Sequence, residues 1–260
     1  MRLVIIPRRT VILAALLVLV LLGGLVYLIL STESLRVLQV TAGGERRIPV
    51  YSVQTEDKRV ALTFDATWGA EHTSNLLRTL AQSEVRATFF LTNIWMEDYP
   101  DQTRGIHQAG HELALHSASH PDMATLGEGD IRSQLTDNIE LMKSVCPEAS
   151  PRLFRPPFGS YNNRLLQVAE DDLGLTTIQW SVDSLDWKEV TAEYVLNRVT
   201  TLVHPGAIIL FHNGSEPTAE ALGDIIEQLE GAGYEMVTVS ELLHPRPYEV
   251  DHRGRQIPRR

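Results

Sequence analysis

Two histidines, His116 and His120, close the stretch HELALHSASH (111–120) at an HxxxH spacing. One helical turn brings positions i and i+4 onto the same side, so two imidazoles spaced this way can grip one cation. Two unrelated surface histidines would look the same, and two ligands are too few for a closed structural zinc site. The pair therefore gains meaning only from what else converges on it. Other polar side chains follow apolar runs. Asp65 follows VALTF, Arg155 lies within LFRPP ahead of Phe158, Asp183, Asp186 and Trp187 follow TTIQW, and His212 follows AIILF. Loop polarity explains one or two such residues. A set delivered by successive runs instead offers a base, an acid and a metal seat for one cleft.

The elements that must position these groups are legible as apolar runs. VALTF (60–64), ATFFL (87–91), HELAL (111–115), LFRPP (153–157), TTIQW (176–180), AIILF (207–211) and EMVTV (235–239) read as strands. Helical patterns separate them. Thr73 is placed to cap a helix carrying Leu76, Leu77 and Leu80, and Asp130 to cap one carrying Ile131, Leu135, Ile139, Met142 and Val145. A helix is expected around 162–172. Thr191 opens another with Val195, Val199 and Leu202. Leu222, Ile225, Ile226 and Leu229 mark one stopped by Gly231, and a short helix follows from Ser240. Strand–helix alternation predicts an α/β fold with a parallel sheet, a small, distorted (β/α) barrel of about seven strands. A doubly wound open sheet also satisfies the pattern. In a barrel the strand C-termini carry the active site, which is where the polar residues fall.

The chain has 260 residues, 43% hydrophobic and 22% charged, as expected for one medium domain with appendages. Its formal net charge of −10 and absence of a basic stripe argue against nucleic acid as a partner. Cys146 is the single cysteine, which excludes an intrachain disulfide and a cysteine-rich zinc site; it reads as a packing residue. From Thr10 to Thr32 no residue is charged, Arg2, Arg8 and Arg9 precede the run, and Glu33 follows it. About 20 apolar helical residues span a bilayer core, and positive residues stay inside. The run is longer than a signal-peptide core and lacks an A-x-A-like cleavage site. The expected division is a cytoplasmic basic stub (1–9), a transmembrane anchor (10–32), a linker or β-hairpin (33–57), the main domain (58–245) and a flexible tail (246–260). The protein would then be a single-pass cell-membrane protein with its C-terminal domain outside the cytoplasm.

Over roughly 58–245 the chain resembles the NodB-type polysaccharide deacetylases, carbohydrate esterase family four. Five separated motifs occur in order: TFDATWG (63–69), HSASH (116–120), RPPFG (155–159), DSLDW (183–187) and LFH (210–212). Each is weak alone, but the ordered set is highly specific. The TFD-x-x-WG form is most similar to the sporulation-associated PdaB-like branch. The resemblance implies deacetylation of N-acetylated amino sugars in a peptidoglycan or chitin-like glycan. It implies a divalent metal on His116 and His120, zinc with cobalt or manganese as alternatives. It makes Asp65 the general base and His212 the general acid, with Arg155 orienting Asp65 and Asp186 orienting His212. Phe158 would lend its backbone N–H to the oxyanion, and Trp187 and Leu210 would shape the acetyl pocket.

One departure matters. The family pattern places a second, metal-ligating aspartate after the base, and this chain has Ala66 there. A methyl group cannot coordinate a cation, whereas open catalytic zinc sites generally use three protein ligands. Glu71 and His72 are near in sequence, and Asp65 itself could be drawn onto the metal. Replacing Ala66 with Asp is expected to raise metal affinity if the missing ligand limits the site. The competing reading is a weakly active or inactive membrane-tethered glycan-binding wall protein. His107, His111, His204 and His244 read as structural or exposed, and Arg155 with Asp183 could form a structural ion pair.

Overall fold

The computed structural model describes residues 46–259 and, ahead of them, Leu22 alone. The expected anchor (10–32), apart from Leu22, and the first arm of the expected hairpin lie outside the described residues. Among the described residues no helix is long and apolar enough to cross a membrane.

The central strand is β2 (Arg59–Ala66), which follows β1 (Ser52–Val53). Every β2 residue after Arg59 is buried, because the strand has parallel neighbours on both edges and packing on both faces. Its neighbours are β3 (Thr88–Leu91) and β8 (Ile208–His212). Beyond β3 lie β4 (Glu112–Leu115), β5 (Leu153–Phe154) and β6 (Thr176–Thr177), and beyond β8 lies β7 (Val182–Asp183). The order β6-β5-β4-β3-β2-β8-β7 makes a half-barrel of seven parallel strands, with β9 (Glu235–Met236) pairing to the start of β2 off this path. The α/β expectation and the approximate strand number hold, but the identities shift. EMVTV contributes only the short β9, while β7 arises from Val182 and Asp183, read from sequence as loop. A two-residue strand carries no periodicity to read.

Alternation along β2 divides the core. Val60, Leu62, Phe64 and Ala66 face the helices, whereas Ala61 joins Val50, Phe90, Ala114, Leu153 and Ile208 in a second cluster inside the sheet's curve. Phe64 stacks on Phe89 and Phe211 of the adjacent strands, with ring centroids 4.9 and 5.4 Å apart. The covering helices include α1 (Thr73–Gln82), α2 (Asn93–Asp98), α3 (Pro100–Gln108) and α4 (Glu128–Val145). After α5 (Asn163–Leu166) come α6 (Ala192–Leu202) and α7 (Glu216–Gly231), and α8 (Val239–Leu242) ends the series. Thr191 caps α6 as expected, accepting from the Tyr194 N–H. Two expected caps do not form: His72 and Gly127 hold those positions, and Thr73 and Asp130 fall inside the first turns.

The C-terminal stretch, expected as a flexible tail, is structured instead. Strands β10 (Tyr248–Val250) and β11 (Arg255–Pro258) pair antiparallel, and β11 also pairs parallel with β1. The IPVYSV segment thus finds its partner at the far end of the chain. Gly254, at φ +77°, has its α-carbon so close to Tyr51 that a Cβ would lie 2.2 Å from the ring. The same N-terminal segment also bonds to the main sheet: Val50 pairs with Ile178, and the Val53 N–H donates to the Gly206 carbonyl. Composition hid this, because β11 gains its place by backbone pairing and by burial of one polar residue, Gln256.

Candidate active site

Register sets the site. In the β2–β8 ladder Asp65 lies opposite His212, and in the β4–β5 ladder Leu115 lies opposite Phe154, so His116 and Arg155 emerge side by side. A cavity of about 840 Å³ opens over these strand ends. Asp65, His116, His120, Phe158, Trp187 and His212 all line it, together with Leu210 and Asp186. Arg155 lies beneath, fully buried.

Asp65 is held by a cation. Arg155 donates from Nη1 to Asp65 Oδ1 at 2.6 Å and from Nη2 to the Gln179 carbonyl at 3.1 Å, while its guanidinium covers the Phe90 ring. Burial, the largest single influence, would raise the Asp65 pKa, but the charge and hydrogen bond of Arg155 together with the nearby His116 and His212 outweigh it, and the carboxyl sits below its ordinary value. The alternative ion pair with Asp183 does not form; the Asp183 carboxylate instead accepts the Leu185 N–H at 2.9 Å.

His116 Nδ1 lies 2.8 Å from the Arg155 carbonyl, so Nδ1–H donates there and Nε2 carries the lone pair. That Nε2 faces Asp65 Oδ2 at 3.5 Å. Burial lowers the His116 pKa, and burial together with the neighbouring His116 lowers that of His120 to about 4. Both rings are therefore neutral near pH 7, with centroids 5.0 Å apart. They do not meet on a helical turn. Residues 116–120 form a loop in which Ser117 and His120 take φ of +73° and +55°. Phe158, which lines the cavity, and Leu185, the neighbour of Asp186 in sequence, share this left-handed region. Such conformations are uncommon for non-glycine residues and cluster at functional loops.

His212 is the opposite case. Its Nδ1 lies 2.7 Å from Asp186 Oδ1. Burial pulls its pKa down, but the hydrogen bond and charge of Asp186 prevail and the net shift is upward. Asp186 Oδ2 accepts two further donors, the His212 backbone N–H at 2.8 Å and the Thr218 hydroxyl at 2.5 Å.

Sequence reasoning missed Thr218 and also Asn138. Asn138 is buried in α4, accepts the His116 N–H at 3.0 Å and donates to the Leu91 carbonyl at 3.1 Å. It lies on the apolar stripe between Leu135 and Met142, and a polar residue interrupting a buried face was the available signal. Thr218 had a fainter one, its place in the first turn of α7 behind the capping Ser215. Glu71 and His72 do not line the cavity. His111 accepts the Ala87 N–H at 3.2 Å and is structural.

The donors suit a cation in part. The His116 lone pair faces a carboxylate with no proton between them, and among the described residues His120 Nδ1 is buried without a hydrogen-bond partner. Two neutral imidazoles so placed fit a divalent ion. The set stops there: no cluster of three His, Cys, Asp or Glu side chains arranged for a metal occurs among the described residues. Ala66 is buried on the helix-facing side of β2, and the next residue to line the cavity after Asp65 is Thr67.

A family profile for polysaccharide deacetylase matches residues 52–178. The peptidoglycan-N-acetylglucosamine deacetylase of Bacillus cereus is 35% identical over 188 residues, 71% of this chain and 68% of that protein. This chain belongs to the polysaccharide deacetylase family. The uncharacterised protein YlxY of Bacillus subtilis is also 35% identical, over 75% of this chain, but the match spans only 60% of YlxY. Among solved structures, BA3943 of Bacillus anthracis, described as a pseudoenzyme of carbohydrate esterase family four, superposes with a TM-score of 0.72 at 35% identity, covering 75% of this chain and 68% of its own. Family membership gives the ordered motifs a common location: all five supply residues to this one polar cluster, Arg155 from beneath it and the rest from the cavity wall.

Proposed function

We propose that this chain hydrolyses the acetamide of an N-acetylated amino sugar in a cell-wall glycan. The observation that carries the reading is the register pairing of Asp65 with His212, which gives one cavity an ionised carboxylate and an imidazole whose pKa is raised. Asp65 accepts a proton from water as the water oxygen attacks the acetyl carbonyl carbon. Arg155 fixes the carboxylate that does so. The Phe158 backbone N–H serves the resulting oxyanion, and Trp187 and Leu210 enclose the acetyl methyl group. His212, held as imidazolium by Asp186, gives its proton to the sugar nitrogen as the C–N bond breaks. Acetate and a free amine leave. A proton-transfer partner of this kind contributes about 10²–10⁴-fold. His116 and His120 would hold the divalent metal, zinc or alternatively cobalt or manganese, which when bound polarises the carbonyl as a Lewis acid.

Peptidoglycan is the substrate this reading favours, by likeness to the Bacillus cereus enzyme. The TFD-x-x-WG form supports placement in the PdaB-like branch and a role in sporulation. The uncharged run 10–32 behind three arginines supports a single-pass anchor with the catalytic domain outside the cell. A second reading, a glycan-binding wall protein with little turnover, is favoured by Ala66 and by likeness to BA3943. Acetate release from N-acetylated peptidoglycan and chitin oligomers by the full-length chain separates the two. Release with zinc, cobalt or manganese supports the enzyme; no release with any of them, alongside retained glycan binding, supports the second reading.

A further inference from the structure

Trp68 stands out in a comparison of the chain's indoles. Trp95 is fully buried, whereas Trp68 is 66% exposed at the mouth of the cavity. An exposed tryptophan on a mobile loop would mean little. The loop that carries Trp68 is fixed on both sides. The Ala66 carbonyl accepts the Thr92 N–H at 3.2 Å, and the Asp65 carbonyl accepts the Asn213 N–H at 3.1 Å. The Gly69 carbonyl accepts the Trp95 indole N–H at 2.7 Å and the Asn213 side-chain amide at 3.0 Å. Gly69 takes φ +68° to allow this turn, and the Trp68 carbonyl lies so close to Gly214 that a Cβ there would be 3.2 Å away. The scaffold thus spends four hydrogen bonds holding a large apolar ring in water.

The ring's surroundings identify what it is held for. Trp68 meets His120 edge-on, with centroids 5.1 Å apart, and Phe158 meets His120 on another side at 4.7 Å. Among the described residues, His120 is the one aromatic ring Trp68 contacts. Phe158, 69% exposed, and Trp187, 60% exposed, stand at the same cavity. Pyranose rings carry an apolar C–H face and a hydroxylated rim, and a flat, amphipathic indole complements such a face while its edge stays wet.

The geometry points to Trp68 as a glycan-binding residue, a platform for a sugar ring of the substrate chain beside the histidine pair. This rests on the deacetylase reading of the site and extends it to an extended oligosaccharide rather than an isolated sugar. Trp68 positions substrate and takes no part in proton transfer, so its loss acts on binding more than on the chemical step.

The test compares Trp68→Ala and Trp68→Tyr in the full-length protein. Binding of N-acetylated chitotetraose and of N-acetylglucosamine is measured calorimetrically, and acetate release from chitotetraose is measured separately. For Trp68→Ala the expected result is a two- to tenfold loss of chitotetraose affinity, about what one aromatic stack supplies. KM should rise in step with kcat nearly unchanged, and Trp68→Tyr should recover most of the loss. Unchanged chitotetraose affinity in Trp68→Ala, a loss that Tyr does not rescue, or no chitotetraose binding to the parent protein overturns the inference. Failure of the parent protein to release acetate counts against the enzyme reading alone, because the binding comparison still reports on Trp68.

Discussion

The site contains two histidine–aspartate pairs with opposite electrostatics. His116 and Asp65 are 3.5 Å apart, and His212 and Asp186 are 2.7 Å apart. In the first pair Arg155 neutralises the aspartate, and the histidine has given its one N–H to a backbone carbonyl. The imidazole stays neutral and presents a lone pair. In the second pair, among the described residues, no arginine or lysine bonds the aspartate; it receives the imidazole N–H directly, which raises the His212 pKa. The same two residue types thus give an ionised carboxylate beside a neutral imidazole on one side and an imidazole with a raised pKa on the other. What separates them is the third partner, a guanidinium or a hydroxyl.

Removing Arg155 should have the largest effect on this contrast. Arg155→Met leaves the Asp65 charge buried and unpaired, which costs about 3–5 kcal/mol of stability in a denaturant titration. It should also raise the Asp65 pKa, moving the acid limb of the rate profile upward; an unmoved limb would show that Arg155 is structural only. Asp65→Asn should lower kcat about 10²–10⁴-fold while leaving glycan binding in place.

The second pair sets the alkaline limb. Asp65 stays ionised below the ordinary carboxylate range and His212 stays protonated above about 6.5. Activity should therefore be highest between the two limbs. It should fall on the acid side as Asp65 and His120 take up protons, and on the alkaline side as His212 loses one. Asp186→Asn removes the main influence that raises His212, so the alkaline limb should move to lower pH; a limb that stays put assigns the acid elsewhere. Thr218→Val removes one donor to Asp186, and a charge-assisted hydrogen bond contributes about 1.5–3 kcal/mol. Its kcat should fall less than that of Asp186→Asn, with KM unchanged.

The last contrast concerns the ligand seat. The Ala66 side chain points into the helix-facing core, so Ala66→Asp should destabilise the fold without raising metal affinity. Thr67→Asp places a carboxylate on the cavity wall and should tighten zinc in a calorimetric titration. The reverse outcome would show that β2 turns before Ala66.

Much of this could be read from particular residues. The apolar runs ending at Asp65, His116 and His212 locate buried parallel strands, because a strand covered on both faces has nowhere to put polar side chains except its end. Arg155 and Asp186 follow from the same rule. Asn138 and Thr218 do not, since a hydrogen bond between an α-helix and a distant strand end leaves no periodic trace. The pairing of β11 with β1 is equally silent, because backbone pairing between the chain's two ends depends on proximity and not on composition.

The sequence by itself determined the α/β alternation, the family and the residue types available for chemistry. Only the tertiary structure decided their states: which histidine is neutral, which is charged, and that Ala66 faces away while Thr67 and Trp68 face the cavity. Residue identity limits the protons a group can hold, but burial and the nearest partner, set by strand register and loop conformation, decide whether it holds them.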